Sequence, residues 1–250
     1  MKNSILSKLT FTICFFVVSF ILSAENKLSI GLGFGVSNLN DFYRGSSVVA
    51  PIPIINARYE NFFFDGFNIG LDLFNADAFT FSLFVNPLDG NYLKSKKMDD
   101  GYKSIDDRHY QIAAGALVGY DFNFYDTRAL ISMSGSRKGT KGNVKIIKPF
   151  TVTDKFYMIP SISENLYSKN YTDYYWGIDS NELGGKITNT YSPNMAYSTQ
   201  LELAMEYYLN EKITLLAFMS VEKFSSDVER SPIIDNSTLM IMGAGIKYSF

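Results

Sequence analysis

Residues 240–250 read Met240-Ile241-Met242-Gly243-Ala244-Gly245-Ile246-Lys247-Tyr248-Ser249-Phe250. Counted back from the terminus, Phe250, Tyr248, Ile246, Ala244, Met242 and Met240 share one face of a strand. Ser249, Lys247, Gly245, Gly243 and Ile241 share the other. In a soluble chain a terminal Phe frays, because nothing holds it. One wholly apolar face running to the last residue therefore asks for surroundings that are themselves apolar.

The same period of two recurs upstream. Leu28, Ile30, Leu32, Phe34 and Val36 alternate with Ser29, Gly31, Gly33 and Gly35, so the second face of that strand carries no bulky side chains to pack on another layer. Phe67, Ile69, Leu71 and Leu73 alternate with Asn68, Gly70 and Asp72. Further alternating runs cover 79–85, 115–124, 128–134 and 201–209. Only 213–222 is less regular, with Leu216 and Phe218 on the face that also holds Thr214, Ser220 and Glu222. Alternation this long and frequent predicts an all-β fold, an antiparallel transmembrane β-barrel with apolar residues toward lipid and polar residues toward the lumen. A soluble sandwich or lipocalin-like barrel would alternate too, with its faces reversed.

Two features favour lipid. Aromatics cluster at strand ends, as interfacial girdles require: Tyr59 with Phe62, Phe63 and Phe64; Tyr120, Phe122, Phe124 and Tyr125; Tyr171, Tyr174, Tyr175 and Trp176. The terminal strand, with Tyr248 and Phe250, resembles the signal by which outer-membrane barrels are received by their assembly machinery. Both features predict outer-membrane lipid and that machinery as partners.

The N-terminus sets the compartment. Lys2 and Lys8 precede an apolar run from Leu9 to Leu22, and Ser23-Ala24 offers a small residue before Glu25. This layout, too short for a spanning helix, predicts a cleaved signal peptide at 1–24 and a barrel domain at 25–250. Cleavage would remove Cys14, the single cysteine, so no disulfide or thiol chemistry is expected in the remainder. The 250 residues are 46% hydrophobic and 16% aromatic, with a net charge of -2, which disfavours both a disordered chain and a nucleic-acid binder. A mean hydropathy of -0.01 is too low for a helical polytopic membrane protein.

Short turns are read at Phe64-Asp65-Gly66, at 123–126 and at Leu209-Asn210-Glu211, whereas 87–108 and 178–193 are long and polar. At roughly 10 residues per strand plus connections, 25–250 predicts about 12 strands, with 10 and 14 the neighbouring even counts. Arg58, Glu60, Asp72, Asp121, Arg128, Glu202, Glu206 and Lys247 are the candidate lumen charges, and Glu222 falls on the same polar face. In a barrel this narrow they predict a plug or narrow passage rather than a general porin. No catalytic set is expected: His109 is the one histidine, and no spacing pairs it with a serine. No metal or cofactor site is read either, since carboxylates are scattered and neither Gly-rich run opens a helix.

Several short motifs, in order, carry a family resemblance: Tyr43-Arg44-Gly45-Ser46 leading to Pro51-Ile52-Pro53 and Ala57-Arg58-Tyr59; Ala114-Gly115 with Gly119-Tyr120; Tyr174-Tyr175-Trp176-Gly177-Ile178 before Tyr191-Ser192-Pro193; and Ser231-Pro232-Ile233 ahead of Gly243 to Phe250. The chain resembles the MipA/OmpV family of outer-membrane proteins. It departs from the family pattern at Glu222-Lys223-Phe224, where an Arg-Leu pair is expected. The resemblance implies a non-enzymatic barrel in the cell outer membrane. For one branch it implies a scaffold bringing a murein transglycosylase near a peptidoglycan synthase. A narrow channel for small solutes is the alternative.

Overall fold

The computed structural model describes residues 28–37, 42–45, 50–76, 78–122 and 125–249. The expected signal peptide and Phe250 lie outside the described residues. Strands β1 (Leu28–Ser37), β2 (Ala50–Tyr59), β3 (Phe62–Asp65), β4 (Asn68–Ala76), β5 (Phe79–Asp89), β6 (Gln111–Phe122) and β7 (Thr127–Ser136) follow one another as antiparallel neighbours. They continue into β8 (Gly139–Ile147), β9 (Phe150–Thr153), β10 (Phe156–Tyr167), β11 (Ala196–Tyr208), β12 (Ile213–Phe224) and β13 (Thr238–Ser249). β13 pairs back onto β1, with Gly33 opposite Gly245, and the ring closes. β8 and β9 both pair with β10 as one interrupted wall strand, so the barrel has twelve positions.

Closure pairs the last strand with the first, which is how a sheet can satisfy its backbone in hydrocarbon. The seam is close-packed: a Cβ on Gly33 would come within 2.8 Å of the Ala244 carbonyl oxygen and the Gly245 Cα, so glycine is required there. Leu216 and Phe218, the residues that broke the alternation, face inward opposite Gly245 and Gly243 and fill the space those glycines leave.

The faces are sorted as a membrane barrel requires. Leu32, Ile112, Ile131, Met133, Leu201 and Ile246 point outward and are each more than half exposed in the protein alone. Inward positions around the wall are polar and covered, among them Asp72, Thr80, Ser82, Ser163, Ser198 and Ser220. An exposed apolar belt of this extent is what a bilayer solvates.

Two departures from regularity shape the molecule. β3 is four residues tall and covers only Asn56–Tyr59 of the β2 edge. The rest of β2 has β1 as its sole strand neighbour among the described residues, and this is where Pro51 and Pro53, lacking N–H groups, are tolerated. The second departure is at the ends. Connections at one end are short, while four of the six on the other side, spanning 38–49, 90–110, 168–195 and 225–237, are long. The segment after β10 contains a helix, α1 (Lys169–Trp176), which the period-two reading did not anticipate. Bacterial barrels place short turns in the periplasm and long loops outside, which orients the molecule.

Candidate functional site

Interior charges form two networks. In the first, the Arg58 guanidinium reaches over Phe63 and Gly70, its register partners across β3 and β4, and donates to Asp72 at 2.6 Å. A Cβ on Gly70 would meet the Phe63 ring at 2.2 Å, so the missing side chain is what lets that ring lie flat on the wall. Ser82 also donates to Asp72, at 2.6 Å. Arg128 donates to Thr80 at 3.1 Å and stands 3.5 Å from Asp121. Buried Asp72 is thus matched by one cation and one hydroxyl, as a carboxylate out of water must be.

The second network lies on the opposite wall. Lys145 pairs with Glu202 at 3.0 Å, and Asn143 donates to Asn165 at 2.9 Å. Asn165, Tyr167 and Ser198 all donate to Glu222, the first two at 3.1 and 3.0 Å. Glu206 accepts from Tyr208 at 3.1 Å, and Lys247 sits inward on β13 opposite Gly31 and Thr214. Glu60 is placed differently from the sequence expectation. It lies exposed in the β2–β3 turn at a φ of 51°, because the chain must reverse there, and it does not line the lumen. Tyr248 stands on the outward face two places from the end.

The long segments do not stand as separate polar loops, as the stretches 87–108 and 178–193 suggested. They converge on one apolar core across the outer mouth: Phe42 and Tyr43 before β2, Leu93, Met98 and Ile105 before β6, Tyr171, Tyr175 and Trp176 on α1, and Val228, Ile233 and Ile234 before β13. Tyr167 and Phe224, at the tops of their strands, join it from below. Trp176 packs edge-on against Tyr167 and Phe224, with ring centroids 5.2 and 5.4 Å away. The aromatics Tyr171, Tyr175 and Trp176 are therefore core residues of a cap and not a lipid girdle. They repeat at helical spacing, which puts them on one buried face of α1. That spacing, after Ser168 at the N-cap position, was the signal that could have found them.

Polar groups within the cap are held tightly. Arg108 and Glu182, both almost fully buried, form an ion pair at 2.7 Å. Glu182 also accepts the N–H groups of Asp106 and Asp179, at 2.7 and 2.8 Å, while Arg108 donates to the carbonyls of Asp106 and Gly177. The pair therefore ties the segment before β6 to the segment after α1. Tyr175 donates from its hydroxyl to the His109 carbonyl at 3.1 Å, and a Cβ on Gly90, at φ 91°, would lie 1.9 Å from that hydroxyl oxygen. Burial pushes the hydroxyls of Tyr43 and Tyr175 well above their ordinary range; for Tyr43 the Arg108 charge partly opposes this, and for Tyr175 the Asp89 carboxylate adds to it. His109 itself is exposed, its ring centroid 5.8 Å from that of Tyr92.

The model of the family described as MltA-interacting protein MipA matches residues 30–250. This chain belongs to that family. It is 31% identical over 230 residues to the 24 kDa outer membrane protein of Pasteurella multocida (strain Pm70), covering 88% of this chain and 90% of that one. Against the MltA-interacting protein of Escherichia coli (strain K12) it is 26% identical over 235 residues, covering 92% and 93%. A solved porin, NanC, overlays on 90% of the chain and all of its own, at a TM-score of 0.45 and 6% identity. With its barrel and its outer-membrane relatives, the MipA-family protein is a protein of the outer membrane.

Proposed function

We propose that this MipA-family barrel is a non-conducting interaction protein that holds murein-remodelling enzymes, a lytic transglycosylase and with it a peptidoglycan synthase, at the inner surface of the outer membrane. The observation that supports this reading is the cap. Four segments from around the ring meet in one dry core over the outer mouth, and lumen charges such as Arg58–Asp72 and Lys145–Glu202 neutralise one another. A solute path would need an open mouth and unpaired charges to set selectivity. The printed name of the Escherichia coli relative, an MltA-interacting protein, supports the same partner class. The outward belt is proposed to meet lipid, and Tyr248 with Phe250 to be read by the barrel-assembly machinery.

A cross-linking pull-down from native membranes tests the reading, with transglycosylase and synthase expected among the captured proteins. The polar lining of the interior favours the second reading, a narrow channel for small solutes. Planar bilayers separate the two: silence is expected, and stepwise conductance without captured murein enzymes would overturn the scaffold.

A further inference from the structure

The short-turn end carries a crevice of about 800 Å³, reached by the interior networks only through Tyr208 and its bond to Glu206. Its walls include Tyr157 and Tyr208, inward-facing diagonal neighbours on β10 and β11 with ring centroids 5.4 Å apart and planes at 71°. The Tyr208 ring is fixed by its hydroxyl bond to Glu206. Four charges stand at the rim, Asp154 and Lys155 on one turn and Glu211 and Lys212 on the next. Neither an ion pair nor a hydrogen bond within the described residues occupies any of these four side chains. The turns themselves are held in place. Tyr208 N–H donates to the Lys155 carbonyl at 2.8 Å, and Asn210 Oδ1 accepts the N–H groups of Lys212 and Ile213, each at 2.9 Å. The crevice is therefore shaped before any ligand arrives, which lowers the ordering cost of binding.

We infer that this crevice binds the wall polymer directly, taking a saccharide ring against Tyr157 and Tyr208 and the peptide attached to it against the rim charges. Tyrosine offers an apolar face for the C–H side of a sugar and a hydroxyl for its polar edge. A purely anionic ligand would suit Lys155 and Lys212 but be repelled by Asp154 and Glu211. A glycopeptide with both free amines and carboxylates satisfies all four. The inference rests on the proposed siting of this end against the wall, and it adds a second hold there besides any enzyme partner.

The test is co-sedimentation of the purified, detergent-solubilised barrel with protein-free sacculi. The wild-type protein is expected in the pellet, and Tyr157→Ala with Tyr208→Ala to lower the bound fraction about tenfold, as loss of aromatic anchors does. Slow migration of the unheated barrel on gels reports that the double variant has folded. Lys155→Glu with Lys212→Glu, confined to the turns, gives a second reading that does not disturb the wall, and weakened sedimentation is expected there too. Tyr92→Ala on the outer cap is expected to leave binding unchanged. A wild-type barrel that stays in the supernatant, or folded variants that pellet as well as it does, would overturn the inference. Capture of purified transglycosylase without sacculi is scored separately. Capture with no sacculus binding removes this inference and leaves the scaffold, and the converse removes the scaffold and leaves the crevice.

Discussion

The two ends of this barrel are built on opposite principles. At the inner end each connection is a few residues long and is stabilised locally, as where Asn210 caps its own turn with two bonds from neighbouring N–H groups. At the outer end four connections are long and owe their order to one another: Arg108 reaches Glu182, Tyr43 donates to the Tyr175 carbonyl at 3.3 Å, and Ser231 donates to the Trp176 carbonyl at 2.6 Å. The belt between the ends turns its apolar side chains outward, whereas the cap buries its own in a dry interior. Damage at the outer end should therefore spread through four segments, while damage at the inner end should stay where it is made.

The sharpest break in that comparison is Trp176→Ala. Trp176 is 1% exposed and touches Tyr167, Tyr171 and Phe224, so its loss leaves a large cavity in the cap. A cost of about 3–5 kcal/mol to the unfolding of the cap is expected, read by native-state proteolysis of the long segments in detergent. Single-channel events absent from the wild type should accompany it. If the segments resist protease as before, the cap is not one cooperative unit. Next comes Glu182→Ala, which strands the Arg108 guanidinium in a dry site and should cost about 3 kcal/mol in the same assay. Arg108→Met combined with Glu182→Leu should recover most of that loss, because removing both charges removes the desolvation penalty with them. A double variant as fragile as the single one would mean that the backbone contacts of Glu182 matter more than its charge.

The difference between the ends also decides what could be read from residue order. The wall was legible because period two is enforced residue by residue, from Leu28 through Lys247, by the demand that one face meet lipid. The cap was not, because its core draws a few apolar residues from each of four segments far apart in the chain, among them Phe42, Leu93, Trp176 and Ile233, and no local period shows that they meet. Helix α1 has eight residues set among long strands, so its tyrosines read as another girdle although their helical spacing after Ser168 was present. The lumen charges were legible as a face but not as pairs. Arg58 finds Asp72 only because β3 is short and Gly70 lets Phe63 lie flat between them, and neither fact is visible before the register is known. Glu60 shows the limit of the face rule, since the parity of a residue says nothing once the strand has ended.

High pH sharpens the comparison with a smaller effect. The hydroxyls of Tyr43 and Tyr175 are held above the ordinary value of 10.0 mainly by burial. In the unfolded cap they lose their protons near that value, while in the folded cap they keep them. Above pH 10 the unfolded state therefore binds fewer protons, and cap stability declines as pH rises, by at most about 1.4 kcal/mol per pH unit for each such tyrosine. Below that pH these groups contribute no slope. Protease sensitivity of the outer segments should climb above pH 10, followed by a delayed rise in tyrosinate absorbance. Tyrosinate that forms on the ordinary curve, before any loosening, would mean that water already reaches these hydroxyls.

The smallest effect expected is Asn210→Ala at the inner end. It removes an acceptor from two N–H groups, but the turn is exposed and water can replace the lost bonds, so a cost of about 1 kcal/mol is expected. The Leu209 N–H still donates to the Ile213 carbonyl at 2.9 Å, and the Ser249 N–H to the Lys212 carbonyl at 2.9 Å, so the register of β12 against β11 and β13 survives. Hydrogen exchange in detergent reads the outcome, with faster exchange confined to 209–213 and unchanged protection in the cap. Exchange that also quickened around Trp176 would tie the two ends through the barrel wall, and the inner turns could then no longer be treated as independent of the cap they face across the membrane.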